Sequence, residues 1–224
     1  MKSVVLLSGG LDSSVSFVKA MDETDVELTL TFDYRQKSAN KEIEAARRIS
    51  EMYKVSHKVV ELPWFLEITS TALVNRNKEI PKFDFKDSTS RDTARLVWVP
   101  NRNGVFINIA ASFAEGLSCS VVVTGFNKEE GETFPDNSVL FIDAINHSLE
   151  FSTLTSIKVI SFTSNLDKSE IVTLGKALGV PFRYIWSCYD GEDRMCGRCE
   201  SCQRTIRAFK ATDNWDLISG KFKT

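Results

Sequence analysis

Ser3-Val4-Val5-Leu6-Leu7-Ser8-Gly9-Gly10-Leu11-Asp12-Ser13-Ser14 opens the chain with an apolar run that breaks into two glycines and then into hydroxyl and carboxylate side chains. Ser3–Leu7 reads as a short buried strand and Asp12–Met21 as the helix that follows it. In a parallel sheet, ligands bind beyond the carboxyl ends of the strands. Two glycines at that point allow a sharp turn and a close backbone approach. The amides of Leu11 to Ser14 then lie at a helix N-terminus, where free N–H groups and the dipole favour an anion. Ser8, Ser13 and Ser14 add hydroxyl donors. Asp12 suits a phosphate site only if a divalent cation bridges it, and Mg²⁺ does so with few carboxylates plus phosphate oxygens. A plain helix N-cap accounts for Gly-Gly alone but less well for the whole heptapeptide at the first strand–helix junction. Neither GxxxxGK[ST] nor GxGxxG occurs, which removes the main support for common kinase-like and dinucleotide readings.

Working outward, Val26–Phe32 reads as a second strand. Lys37–Tyr53 repeats apolar residues at helical spacing (Ile43, Ala46, Ile49, Tyr53), and Val55–Leu62 reads as a third strand. Strand-helix-strand-helix-strand calls for a parallel sheet with right-handed crossovers. From Pro63 to Pro100 the periodicity fades, which marks an insertion (63–100) with helix near Trp64–Val74. Val105–Leu117 is apolar almost all round and reads as a buried helix. Ser120–Thr124 is a fourth strand, Ser138–Phe151 a helix and Lys158–Phe162 a fifth strand. Asp167 and Glu170 have the spacing of a capping box. That helix ends at Gly179 before Pro181, and Arg183–Trp186 reads as a short final strand. The expected fold is α/β, Rossmann-like, a parallel sheet with helices on both faces and a small C-terminal unit. The boundaries are 1–186 for the α/β domain and 187–224 for the cysteine-rich unit.

The chain has 224 residues, with 28 Lys+Arg against 30 Asp+Glu and a net charge of −2. A pI near 5.8 argues against holding nucleic acid mainly by bulk charge. No segment approaches the ~20 apolar residues of a membrane helix, and the N-terminus does not read as a signal peptide. The expected location is cytoplasmic, where thiols stay reduced. Four of the five cysteines, Cys188, Cys196, Cys199 and Cys202, crowd together, which there points to metal. Four thiolates at this spacing close a tetrahedral zinc site of structural type; an iron–sulfur cluster is the rival. Cys119 reads as core. Arg198, Arg204, Arg207 and Lys210 lie on an expected helix, either as a solvated face or opposite an anion. His57 reads as structural, His147 as surface, and Trp186 as packing for the cysteine unit.

The segment Ser8–Ser14 resembles the SGGxDS loop of the PP-loop ATP pyrophosphatases. Further stretches resemble one branch of that superfamily: Phe32-Asp33-Tyr34-Arg35-Gln36 with Glu42 downstream, Val99-Pro100-Asn101-Arg102-Asn103, Phe134-Pro135-Asp136, Asp167-Lys168-Ser169-Glu170-Ile171, and Trp186-Ser187-Cys188-Tyr189 with Cys196-Gly197-Arg198-Cys199-Glu200-Ser201-Cys202. In order and over nearly the whole chain, they resemble the 7-cyano-7-deazaguanine synthase (QueC) family. Two stretches depart from its pattern. Glu129–Asn137 stands where bacterial members usually carry DYSGYPDC, and VPNRN replaces VPGRN. The first departure looks closer to archaeal members, which make the base for archaeosine.

The resemblance implies an ATP-dependent ligase that converts 7-carboxy-7-deazaguanine and ammonia to the nitrile through adenylated intermediates. It implies ATP contacts at Ser8, Gly9, Gly10, Leu11, Asp12, Ser13 and Ser14, with Mg²⁺ beside ATP and one structural Zn²⁺ per chain. Asp12, Lys168 and Arg102 are the catalytic candidates. Tyr34, Gln36, Phe134 and Asp136 are the candidates for holding the base, with Trp98 as a further stacking surface. The expected partners are ATP, ammonia and the deazapurine, with no direct nucleic acid and no membrane, and the family suggests a homodimer. The rivals are a PP-loop tRNA sulfurtransferase, a non-enzymatic nucleotide-binding regulatory module, and a family member acting on an attached deazapurine.

Overall fold

The computed structural model describes residues 1–83 and 90–223, with backbone alone at 90–93. Five strands, β1 (Lys2–Leu6), β2 (Asp25–Asp33), β3 (Ser56–Glu61), β4 (Val121–Thr124) and β5 (Lys158–Ser161), form one sheet in the order β3-β2-β1-β4-β5. Every pairing is parallel. The helices are α1 (Leu11–Glu23), α2 (Ala39–Met52), α3 (Phe65–Ile68), α4 (Ser90–Val97), α5 (Arg102–Gly116), α6 (Lys128–Thr133), α7 (Val139–Ser152), α8 (Lys168–Ala177) and α9 (Glu200–Ala211). No described helix is long and apolar enough to cross a membrane.

β1 sits at the centre. From it the chain builds outward to β2 and β3, then returns to place β4 on its other side. Right-handed crossovers in opposite directions put their helices on opposite faces. β2 shows both: Thr29 meets Ser50 of α2 at 2.8 Å, whereas Phe32 stacks on Phe106 of α5 with centroids 4.1 Å apart. The core is the valine-rich centre of the sheet (Val4, Val5, Val121, Val122, Val123) and the inner sides of these helices. The reversal of strand order falls between β1 and β4. The carboxyl ends of two adjacent strands therefore open a crevice there, at the N-terminus of α1.

Ser138 caps α7, and the Asp167–Glu170 capping box has both halves, as its spacing predicts. Other expectations fail. Arg183–Trp186 is not a strand, because Phe182–Tyr184 coils into a 3₁₀ turn after Pro181. Beyond it, the Trp186 amide donates to Gly9 O at 2.7 Å instead of joining the sheet. Helix near Trp64–Val74 shrinks to Phe65–Ile68, while α4 and the charged α6 form where no helix is expected. Helix α5 starts at Arg102, earlier than Val105, and buries one face only, leaving Asn108, Ser112 and Leu117 outward.

Gly125 lets the end of β4 touch the first turn of α1. A Cβ there would stand 2.5 Å from both Cα and N of Ser13. Gly125→Ala should cost about 1–3 kcal/mol in urea unfolding, since backbone must shift. Gly116→Ala, with nothing within 4 Å of its would-be Cβ, should be neutral or gain about 0.5–1 kcal/mol.

Candidate active site

The loop after β1 is shaped from behind. Gly9 has φ +74°, and a Cβ on it would lie 2.6 Å from Ala45 Cβ and 2.9 Å from Ala46 N, so only glycine lets the loop rest on α2. Gly10 occupies the N-cap of α1 without a side chain to satisfy the helix amides. Ser8 and Ser13 hydroxyls meet at 3.0 Å on the crevice side, and the Leu11 amide donates to Ser187 Oγ at 3.3 Å. Ser8, Gly10, Leu11, Asp12 and Ser13 line the crevice. Gly9 and Ser14 do not. Gly9 makes the turn, and Ser14 is fully buried behind the loop, its hydroxyl unpaired among the described residues. Of the expected ATP contacts, Gly9 therefore acts through its backbone turn and the Ser14 hydroxyl faces away from the crevice.

Lys168 opens α8, a position where the helix dipole disfavours a cation. Its side chain turns into the crevice and is buried. The ammonium donates to Asp12 Oδ2 and, at 2.8 Å, to Glu130 Oε1. Burial opposes the charge on Lys168, but the two carboxylates prevail and hold its pKa above the usual lysine range. Burial pushes the Asp12 carboxyl up to about 6 against the pull of Lys168. Glu130 is desolvated too, yet Lys168 and Arg204 keep it below the usual carboxylate range. Asp12 Oδ1 is buried and has no hydrogen-bond partner among the described residues. That orphaned oxygen, with Glu130 close by, fits a divalent cation held between carboxylate and phosphate. The sequence reading missed Glu130, because Lys128–Thr133 is too short and too charged to show a helical pattern. Its one signal was Asn127 followed three residues later by Glu130, and the Asn127 side chain does accept from the Glu130 amide at 3.0 Å.

Elsewhere on the crevice wall Arg102 donates to Tyr34 Oη at 3.1 Å and lies over its ring, 5.7 Å from the centroid. Burial opposes Arg102's charge, yet Tyr34 and Asp136 hold its pKa above the usual range. Asp136 lies in the turn Pro135–Asn137. Burial raises its pKa while Arg102 pulls the other way. Phe134 and Trp98 present rings 7° from parallel, 6.2 Å between centroids, on the crevice wall. Gln36 is corrected. Its Oε1 accepts from the Tyr34 amide at 3.0 Å, and its Nε2 donates to Phe32 O at 3.1 Å and to Glu42 Oε2 at 2.9 Å. It is 2% exposed and does not line the crevice, so its amide is consumed inside its own loop.

The four cysteines converge. The Sγ atoms of Cys188, Cys196, Cys199 and Cys202 all lie within 4.8 Å of one another, Cys196 and Cys202 at 3.9 Å. Thiolates at about 2.3 Å from one tetrahedral ion stand about 3.8 Å apart, so the set fits a single metal. Amides of Asp190 and Cys196 point at Cys188 Sγ (both 3.3 Å), and that of Cys199 at Cys196 Sγ (3.4 Å), as expected for sulfurs carrying negative charge. Helix α9 starts from this knot. Its Arg204 meets Glu200 at 2.7 Å and Glu129 at 2.9 Å, and Arg207 meets Glu129 at 2.5 Å. These arginines therefore do face an anion, one on this chain. Glu129 also accepts from the Lys168 amide at 3.1 Å, so the metal unit braces the helix that carries Lys168.

A family model described as queuosine biosynthesis protein QueC matches residues 2–213. The chain belongs to that family. It is 56% identical over 214 residues to a 7-cyano-7-deazaguanine synthase of Pelotomaculum thermopropionicum, covering 94% of this chain and 97% of that protein. It is 52% identical to one of Desulforamulus reducens, covering 93% of each chain. The archaeal relative from Methanosarcina barkeri is 45% identical, covering 94% of each. These bacterial relatives are the nearer ones, which corrects the archaeal leaning drawn from Glu129–Asn137. In three dimensions the chain is similar to a 4-thiouridine synthetase solved with RNA and ATP (TM-score 0.52, 20% identity, 97% of this chain and 53% of that one), a likeness of fold.

Two substitutions test the site as built. Lys168→Ala leaves Asp12 and Glu130 buried without their cation and should cost about 3–5 kcal/mol in urea unfolding. Cys199→Ser should lose the bound metal, read by mass spectrometry of the native protein, and lower the stability. A fully loaded, equally stable Cys199→Ser protein would count against the centre.

Proposed function

We propose that this chain is a 7-cyano-7-deazaguanine synthase, an ATP-dependent ligase that turns the carboxylate of 7-carboxy-7-deazaguanine into a nitrile with ammonia as nitrogen donor. The observation that carries the reading is that two unlike groups of side chains line one crevice: Ser8, Asp12, Glu130 and Lys168, which suit phosphate, and Tyr34, Arg102, Phe134 and Asp136, which suit a base. Strong identity to relatives bearing that name over nearly their whole length supports it.

The substrate carboxylate attacks the α-phosphorus of ATP, the bond to the β-phosphate breaks, and pyrophosphate leaves. Free amides at the start of α1 and the Ser8 and Ser13 hydroxyls hold the leaving phosphates. Lys168 places fixed positive charge beside the phosphoryl group, where charge grows in the transition state. Ammonia then displaces AMP to give the amide. A second adenylation, on the amide oxygen, lets AMP depart as the nitrile forms, so two ATP are consumed. Asp136 accepts from N1–H and the 2-amino group of the base, Phe134 and Trp98 give it a stacking wall, and Arg102 orients the reacting carboxylate. Mg²⁺, held by Asp12 with Glu130, would supply positive charge at the phosphate oxygens. The four cysteines hold Zn²⁺ in a structural role, a reading supported by thiolates set close enough for one ion and by four protein ligands leaving no open position.

The free base, not a nucleic acid, is the substrate in this proposal. The nitrile feeds queuosine or archaeosine formation, the protein works in the cytoplasm, and it pairs as a homodimer. The test is direct: the chain with Mg-ATP, ammonium and 7-carboxy-7-deazaguanine should release AMP and pyrophosphate, with the nitrile identified by mass spectrometry. No AMP under these conditions would sink the proposal. Asp12→Ala should lower AMP formation by at least about 10²-fold with the fold intact by circular dichroism, since the carboxylate that would hold Mg²⁺ at the phosphate oxygens is removed.

A further inference from the structure

One carboxylate that lines the crevice has no part in the reaction so far. Glu42 lies in the first turn of α2. Its Oε1 accepts from Ser38 Oγ at 2.5 Å and its Oε2 from Gln36 Nε2 at 2.9 Å. Gln36 is itself clamped to the backbone of Phe32 and Tyr34, so the plane of the Glu42 carboxylate is fixed. Each oxygen keeps acceptor capacity beyond the one bond it receives. Glu42 lines the crevice together with Ser8 and Asp12, from the group suited to phosphate, and with Tyr34 and Arg102, from the group suited to the base.

The other carboxylates of the crevice are committed. Asp12 and Glu130 share Lys168, and Asp136 lies in the field of Arg102 and accepts from Asn137 Nδ2 at 3.3 Å. Among the described residues Glu42 enters no ion pair, and the charges felt there are those of Arg102 and Asp33. Burial pushes its pKa up, opposed by the bonds from Ser38 and Gln36. A rigid, desolvated carboxylate with spare lone pairs suits a small cation that donates hydrogen bonds. The proposed reaction brings one. At neutral pH ammonia is present almost entirely as ammonium, which has no lone pair with which to attack.

We infer that Glu42 is the residue that binds ammonium and takes its proton. This rests on the synthase reading above. Ammonium docks on the free side of the Glu42 carboxylate and passes one proton to it, leaving neutral ammonia. The nitrogen lone pair forms a bond to the carbonyl carbon of the acyl adenylate. The carbon–oxygen bond to the adenylyl phosphate then breaks and its electron pair leaves on AMP. A second proton is lost from nitrogen to water, and the amide remains. Gln36 acts through Glu42 as a positioning residue, which gives that family motif residue a task without contact to the base.

Glu42→Gln tests the role, because the amide keeps the shape but cannot take a proton. Exchange of labelled pyrophosphate into ATP, run with Mg-ATP and 7-carboxy-7-deazaguanine in the absence of ammonium, reads adenylation alone and should stay within about twofold of the unsubstituted chain. The apparent KM for ammonium chloride should rise about 10–100-fold, the size of one lost hydrogen bond to a charged group. Hydroxylamine, already neutral at neutral pH, should form the hydroxamate at the unsubstituted rate, because it needs no base to expose its lone pair. Glu42→Asp, charged but shorter, should fall between and guards against a folding defect in the glutamine variant. An unchanged ammonium KM, or equal losses with ammonium and hydroxylamine, would overturn the role of Glu42 alone. Absence of exchange in the unsubstituted chain would overturn the synthase reading, and this role with it.

Discussion

Lys168 between Asp12 and Glu130 is the contact on which the site depends. It joins the first turns of three helices, α1, α6 and α8, that are far apart in sequence and meet only at the crevice. One buried cation with two buried carboxylates leaves a local excess of one negative charge, and it leaves one Asp12 oxygen without a partner. That uncompensated negative charge is costly when buried, and a further, divalent cation would offset it. The same contact places a fixed ammonium next to the open end of α1, so helix amides and lysine converge on one volume.

Around that contact the cysteine unit acts as a brace. The strap that leads into it passes beneath the glycine loop, where the Trp186 amide bonds Gly9 O and the Ser187 hydroxyl receives the Leu11 amide. Helix α9, capped by Cys199, reaches back through Arg204 to Glu129, which in turn holds the first amide of α8. The four sulfurs act on the crevice through mechanics: a metal held by them would fix the strap and the helix that flank two of its sides. Phe182 against Phe209, edge to face at 5.0 Å, continues the same packing into the core.

Much of this was legible in the order of residues. The alternation of β-branched runs with helical periods identified the parallel sheet, because both signals are local and are repeated along the chain. The loop Ser8–Ser14, the cysteine spacing and the Asp167–Glu170 cap were legible for the same reason: each motif carries its own geometry. Ser14 and Gln36 do not line the crevice; a motif names residues without saying which way they point. Ser14 turns behind its loop, and Gln36 spends its amide on neighbours two to six residues away. Glu130 and Glu42 escaped assignment for the opposite reason, since their significance lies in partners on other elements. Arg183–Trp186 has a strand's composition, yet it found the backbone of Gly9 before any free edge of the sheet.

Composition and pattern alone determined an acidic α/β chain with a glycine turn and an open helix N-terminus after its first strand, and a four-cysteine knot near its end. Those follow from backbone sterics, helix-end amides and the reach of consecutive cysteines, all of which act over a few residues. Tertiary structure decided the strand order that opens the crevice at β1 and β4, the neutralisation of Lys168 by carboxylates on two other helices, and the clamp that turns Glu42 inward. Each of these depends on desolvation and on contacts between distant segments, and burial exists only once the chain has packed.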